Sequence, residues 1–332
     1  MHTGKFCSTA VLVLTVAGPA LANDAGLQVA QRGIDTRTAA DFLSEQATET
    51  YHADWRNGPG ARGVSGGLGA AQIWYHGKGR SDRAASASHA LASSLRLSYS
   101  NGVSWTLDLT GTRIDGRTQF GTLGRYDISG YGFAVSGTHR YGDFLLGTQE
   151  TFVWLDFNKA LRKTPGADAA SKSHGYAENM GAEAGYLIGG QFWSVIPSFG
   201  IQYQNVTMSR FSESGLSAME FSKSDNTGWK ASAGLTTMIG HVHQAGFELR
   251  PTLDVRYERW LGADHVTLTG HPLAQGGSVT TPAALAGRDS VVVRPGLYAS
   301  LGKMLDVCAS GLYRWQKDVR ENGVMIKLVL HG

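Results

Sequence analysis

From about Gly66 to its end, the chain alternates apolar and polar residues with a period of two, in one segment after another. The clearest stretch is Phe247–Glu258. Phe247, Leu249, Pro251, Leu253, Val255 and Tyr257 form one face; Glu248, Arg250, Thr252, Asp254, Arg256 and Glu258 form the other. Twelve such segments can be read, at roughly 66–76, 88–100, 103–111, 126–137, 143–156, 174–188, 193–206, 228–240, 245–260, 289–301, 304–315 and 322–331. In the fifth, Phe144 to Asp156, alternation is poor and the two faces stay unassigned. The connections run long, short, long, short. The long ones fall at about 77–87, 112–125, 157–173, 207–227, 261–288 and 316–321. The short ones include Gly189–Gln191, Gly302-Lys303 and Asn101-Gly102, which predicts a two-residue hairpin turn. An even number of strands with short turns at one end and long loops at the other is the pattern of an outer-membrane barrel.

Composition narrows the alternatives. After Ala22 no run of 18 apolar residues occurs, which excludes a helical membrane protein. The balance of 30 basic and 27 acidic residues, +3, is too even for a nucleic-acid groove. Only 17% of residues are charged, and the 44 glycines are roughly twice the usual ~7% share. The first residues read as an export signal: Lys5, an apolar run from Ala10 to Ala17, a break at Gly18-Pro19, then Ala20-Leu21-Ala22, predicting cleavage after Ala22. Cys7 is then lost with the signal, leaving Cys308 alone, so disulfides do not stabilise the mature chain.

A soluble β-sandwich also alternates. Three observations favour the membrane. The strands are long enough to cross a tilted ~25–30 Å slab. Aromatics (Trp74, Tyr75, Tyr99, Trp193, Tyr203, Trp229, Tyr257, Trp260, Tyr313, Trp315) sit near the ends of the apolar faces, as an interfacial girdle requires. The polar faces mix both charge signs with Gly and Ser, which suits a narrow lumen. Closure also removes exposed sheet edges. The expected fold is therefore all-β and transmembrane: a twelve-stranded antiparallel outer-membrane β-barrel, reached by signal-peptide export in a Gram-negative bacterium.

From about Tyr126 onward the chain resembles the C-terminal translocator barrels of autotransporters, the type V secretion proteins, and particularly those attached to esterase passengers. The resemblance is carried by Ile196-Pro197-Ser198-Phe199-Gly200-Ile201-Gln202-Tyr203, Phe211-Ser212-Glu213-Ser214-Gly215, Gly234-Leu235, Arg250-Pro251-Thr252-Leu253-Asp254-Val255 and Gly296-Leu297. It implies a twelve-stranded barrel threaded by an N-terminal helix that leads to a passenger outside the cell. A helix is predicted over Thr38–Trp55, capped by Asp35 or Thr36 and stopped at Asn57-Gly58-Pro59-Gly60, with Phe42, Gln46 and Ala47 near one face. It would plug the lumen, or else lie on the surface or in the periplasm. The expected organisation is a signal peptide at 1–22, linker and lumenal helix at 23–65, and barrel at 66–332. Residues 23–65 are too few for a folded passenger, which suggests a passenger-less descendant. The helix carries no Asn-Asn pair of the kind some family members cut, and the family's terminal aromatic is missing. An earlier frame, Glu321, Gly323, Ile326 and Leu328, fits the signal read by the barrel assembly machinery.

Catalytic signals are weak. Gly63-Val64-Ser65-Gly66-Gly67 matches G-x-S-x-G but lacks the strand-to-helix context of a nucleophile elbow, and reads as a flexible junction. His241 and His243 have no third ligand nearby. No enzyme activity, metal or cofactor is expected. Lys230, Glu248, Arg250, Asp254, Arg256, Glu258 and Arg294 should line the lumen, as docking groups for the helix, a polar conduit, or an ion-pair ladder filling the barrel. The expected partners are outer-membrane lipid, lipopolysaccharide (through Arg80, Arg83, Arg113, Arg117 and Arg125), the assembly machinery, and the chain's own helix; nucleic acid is not among them. The leading function is passage or surface display of an N-terminal segment. The alternative is a stand-alone barrel whose loops act in adhesion or ligand binding, or a small pore.

Overall fold

The computed structural model describes residues 7–57, 62–79, 85–121, 123–163, 168–190, 193–239, 242–244, 247–263, 265–274, 277–284, 287–302 and 304–331, with helix side chains from Ala25 onward. Twelve long strands follow one helix, α1 (Cys7–Asn57). They are β1 (Gly63–Gly77), β2 (Ser86–Ser100), β3 (Trp105–Phe120), β4 (Gly124–Tyr141), β5 (Phe144–Arg162), β6 (Ala169–Tyr186), β7 (Trp193–Met208), β8 (Ser224–Ile239), β9 (Phe247–Trp260), β10 (Asp289–Leu301), β11 (Leu305–Gln316) and β12 (Val319–His331). Each pairs antiparallel with its neighbour in sequence. β1 pairs with β12 from Ser65↔His331 to Gly77↔Val319, which closes the barrel. No described helix is long and apolar enough to cross a membrane.

The outward faces carry a belt of constant height. Exposed aromatics bracket about eleven residues on successive strands: Tyr131 to Tyr141, Phe144 to Trp154, and Tyr176 to Tyr186. Phe247 to Tyr257 repeats the spacing on β9. That is the length a tilted strand needs to cross a bilayer. Two aromatics assigned to the girdle from sequence do not belong there: Tyr75 and Trp260 are each 3% exposed and point inward.

Several strands run further than their alternation. β3 and β4 continue past the belt to Phe120 and from Gly124, where a long loop over 112–125 was expected, and 316–321 shrinks to a turn between Gln316 and Val319. Beyond the belt the contrast inverts: Arg113, Asp115, Arg117 and Arg125 face outward to water while Ile114, Phe120, Tyr126 and Ile128 pack inward, so an apolar lipid face no longer marks the strand. Arg113 pairs with Asp115, and Arg117 with Asp127, each at 2.8 Å on this outer extension. The Gly63–Gly67 segment is likewise the start of β1 and not a flexible junction. At the opposite end, the connection after β2 is a four-residue loop and not a two-residue turn. Asn101 Oδ1 accepts from the backbone N–H groups of Val103, Ser104 and Trp105 at 2.9–3.0 Å, and only Gly102 takes positive φ, 74°. His241 lies outside the described residues, as do Arg80 and Arg83.

The long connections at 209–223 and 261–288 hold a small second sheet. Phe211–Ser214, Met219–Phe221, His265–Pro272 and Val279–Ala284 pair in that order over the long-loop mouth. Long loops mark the extracellular end.

The helix is longer than expected. It runs unbroken from Cys7 to Asn57, through Gly18-Pro19 and Gly33. Asp35 is therefore no cap but a buried interior residue, 5% exposed.

Candidate functional site: the plugged lumen

α1 runs through the barrel lengthwise. Its first described side chains, Ala25, Val29, Ala30 and Ile34, share a buried cluster with Phe211, Met219, Phe221, Val266, Leu268 and Ala283 of the extracellular sheet. Its last, Tyr51 and Trp55, pack with Leu145 and Ile196 at the short-turn end. The N-terminal side of the helix thus faces outward and its C-terminal side meets the periplasmic mouth, next to β1.

Two opposed stripes fit the helix to its wall. Asp41, Glu45 and Glu49 recur at four-residue spacing, on one face. Leu43, Ala47, Tyr51 and Trp55 recur at the same spacing two residues on, about 200° around the axis. The face predicted from Phe42, Gln46 and Ala47 straddles these two.

The acidic stripe meets cations from five consecutive strands. Asp41 lies 3.2 Å from Lys230 on β8. Glu45 lies 2.5 Å from Arg256 on β9, 3.5 Å from Arg294 on β10 and 2.8 Å from Arg314 on β11. Glu49 lies 3.0 Å from Lys327 on β12 and accepts from the Cys308 thiol at 3.3 Å. Below them, His52 sits 3.1 Å from Glu183 and 3.3 Å from Asp254, and the Tyr51 hydroxyl donates to Glu183 at 2.6 Å. The wall completes the set: Arg294 pairs with Asp254, and Arg314 with Glu321 at 2.7 Å. These groups are buried, so each charge depends on its partners and is little screened by salt.

The other side is apolar. Ala39, Ala40, Phe42 and Leu43 share one buried cluster with Ile114, Ile128, Val153, Leu155 and Phe157. This explains the poor alternation of β5. Its odd-numbered residues, from Leu145 to Phe157, face the helix, while Phe144, Leu146, Phe152 and Trp154 face out, so both faces are apolar. Glycines in this wall make room for the helix. A Cβ on Gly132 would overlap Leu43, and one on Gly147 would fall 2.7 Å from the Tyr51 ring. Gly132→Val should therefore cost about 1–3 kcal/mol by overpacking. The unfolding midpoint of the detergent-solubilised barrel measures it. Leu43→Ala in the same chain should recover part of the loss; no recovery would place the strain elsewhere.

Toward the outside, Asp35 accepts from Gln31 (3.0 Å), Ser88 (3.1 Å), Thr118 and Tyr126 (2.5 Å each). Arg32 bonds Ser173 and Ser171 and lies over the Phe211 ring, 4.7 Å from its centroid. Arg37 lies 4.2 Å over Trp260, which falls on the even-numbered, inward face of β9 with Asp254, Arg256 and Glu258.

Five of the seven residues expected to line the lumen (Lys230, Asp254, Arg256, Glu258, Arg294) are buried together around the helix. Glu248 and Arg250 also point inward, but lie half-buried at the periplasmic mouth, 2.5 Å from each other. Glu183, Arg314 and Lys327 were not anticipated from sequence, nor was the acidic stripe of the helix. Of the four assembly-signal residues, Glu321 is spent in the lumen on Arg314, Gly323 lies between Ile73 and Leu312, and Ile326 and Leu328 face out.

Residues 95–311, about two-thirds of the chain, match the family model of the autotransporter beta-domain. The chain belongs to the autotransporter β-domain family. No curated protein matches it by sequence. Among solved structures, the translocator domain of autotransporter NalP from Neisseria meningitidis is similar with a TM-score of 0.71 at 14% identity, over 90% of this chain and 98% of that one. The β domain of the Bordetella autotransporter BrkA gives a TM-score of 0.59 at 12% identity, over 81% and 100%. The transport unit of AIDA-I from Escherichia coli gives 0.50 at 14%, over 80% and 89%. At such identities the likeness is one of fold: a closed twelve-stranded barrel with one N-terminal helix. Membership of the autotransporter β-domain family implies the outer membrane of a Gram-negative bacterium.

Proposed function

We propose that this autotransporter β-domain passes the N-terminal side of α1 through its lumen and presents it outside, and that the helix-filled barrel is the sealed state after passage. The direction of the helix supports this reading: its N-terminal side packs under the extracellular sheet and its C-terminal side enters β1 at the periplasmic mouth. A chain threaded in this direction carries anything upstream of Ala25 to the cell surface. The seal is specific, because each level of the helix has its own wall partners. In this reading the barrel transports and does not catalyse, and needs no cofactor. Export begins with cleavage after Ala22. Assembly uses the outward Ile326 and Leu328 of β12, and the outward Arg113, Arg117 and Arg125 above the belt bind lipopolysaccharide phosphate.

The test is an epitope inserted after Asn23. On intact cells it should bind antibody and be removed by added protease. An epitope reached only after permeabilisation would reverse the direction of threading and end the proposal.

A further inference from the structure

The belt facing lipid is apolar almost everywhere. On the described residues of β9, β10 and β11, every outward side chain from Phe247 to Tyr257, Val291 to Leu301 and Leu305 to Trp315 is uncharged. Two carboxylates break the rule, and they are neighbours. Glu150 on β5 sits between Gln149, whose side chain meets Thr48 of the helix, and the fully buried Thr151, so it points outward. Glu178 on β6 sits between the buried Ala177 and Asn179, the latter bonded to Ser44 of the helix, so it points outward too. The ladder places Glu150 opposite Met180 and Phe152 opposite Glu178, which sets the two carboxylates diagonally across one strand pair. Neither has a hydrogen-bond or ion-pair partner among the described residues. Beside them, the Oδ1 of Asn205, directly across from Glu178 on β7, is buried and accepts no hydrogen bond.

The same surface is hollow. A groove of about 710 Å³ opens on the outer face of β3–β8; Glu150 lines it together with Val135, Gly137, Thr148, Ala182 and Ile201. Met180, Tyr203 and Trp229 line it as well.

We propose that this outer face is an intramembrane docking groove for a different membrane protein, one that presents a lysine or arginine to Glu150 and Glu178. An unpaired carboxylate carries a free-energy cost against hydrocarbon, and three unmet acceptors call for a donor. Charge complementarity chooses the occupant. A second copy of this chain does not supply the cation at that depth, because its outward arginines Arg113 and Arg320 stand level with the girdle aromatics Tyr131 and Trp315 and not between the girdles. A lipid ammonium group belongs at the level of the aromatic girdles. Glu150 lies six residues from Phe144 and four from Trp154, about 15 Å and about 10 Å from the two girdles along a tilted strand. A side chain carried on a spanning segment reaches that depth. The proposal rests on the barrel's place in the membrane and not on the direction of threading.

The experiment places a photo-crosslinking residue at Thr148 or Ala182 in the full chain, in its own outer membrane, with Val293 on β10 as control. The expected result is one discrete protein adduct from the groove positions and none from Val293. Its crosslinked peptide should carry a lysine or arginine inside a membrane-spanning segment. E150Q/E178Q should cut the adduct yield about tenfold or more, as loss of a charge-assisted pair implies. Both substitutions lie outside the lumen, so heat-modifiable gel migration should stay unchanged and verify that the variant folds. Lipid adducts alone, an adduct of twice this chain's mass, equal labelling from Val293, or a yield indifferent to E150Q/E178Q would each overturn the proposal.

Discussion

Glu45→Lys is expected to unseat the helix. In the folded barrel this one carboxylate holds Arg256, Arg294 and Arg314, while the Arg294 guanidinium also donates to the Glu45 backbone carbonyl at 2.8 Å. All four side chains are buried, so water cannot replace the lost partner. Removing one member of a buried pair typically costs about 3–5 kcal/mol, and a fourth cation in the cluster adds repulsion. Glu45→Gln, which keeps the shape and removes the charge, should fall between wild type and lysine. Urea unfolding in detergent measures the order. Because the cluster is buried, the loss should persist at high ionic strength, where an exposed pair would be screened. A midpoint within about 0.5 kcal/mol of wild type would place Glu45 in solvated surroundings and refute the lumenal arrangement.

The second large effect follows from taking the helix out. A helix with its side chains is ~10–12 Å across. Deleting Ala25–Asn57 should leave a water-filled bore about 10 Å wide and about 30 Å long, with steady conductance steps on the order of 1 nS in about 1 M salt. The intact chain should show none. A synthetic peptide of residues 25–57 should restore closure, and the same peptide carrying Glu45→Lys should not. Equal conductance with and without the helix would mean that it does not fill the lumen.

The lumenal cations on β8, β9 and β10 could be read from sequence because each strand there keeps one face for lipid. Lys230, Arg256 and Arg294 fall on the other face by parity alone. Arg314 and Lys327 obey the same parity on β11 and β12, and were within reach of the same argument. The helix stripe Asp41, Glu45, Glu49 was equally legible as a four-residue repeat. It was hidden by the second stripe, because a helix touching the wall all round has no polar side to contrast with an apolar one. β5 failed for the complementary reason: lipid on one side and Leu43 on the other leave no alternation to read.

Sequence alone thus determined the class of fold. Period two, an even number of segments, alternating connection lengths and the lack of an apolar helical span leave little but an outer-membrane barrel, because lipid requires every strand to be paired and the outward face to be predominantly apolar. Tertiary structure decided what the lumen holds. Sequence parity says which residues point inward, but not what they meet. Glu321 has no visible partner in the sequence, and Asp35 reads as a cap; closure set Glu321 against Arg314 and brought residues up to 91 positions away to donate to Asp35. Glu150 and Glu178, without a partner among the described residues, became visible in the same way, once β5 and β6 lay side by side.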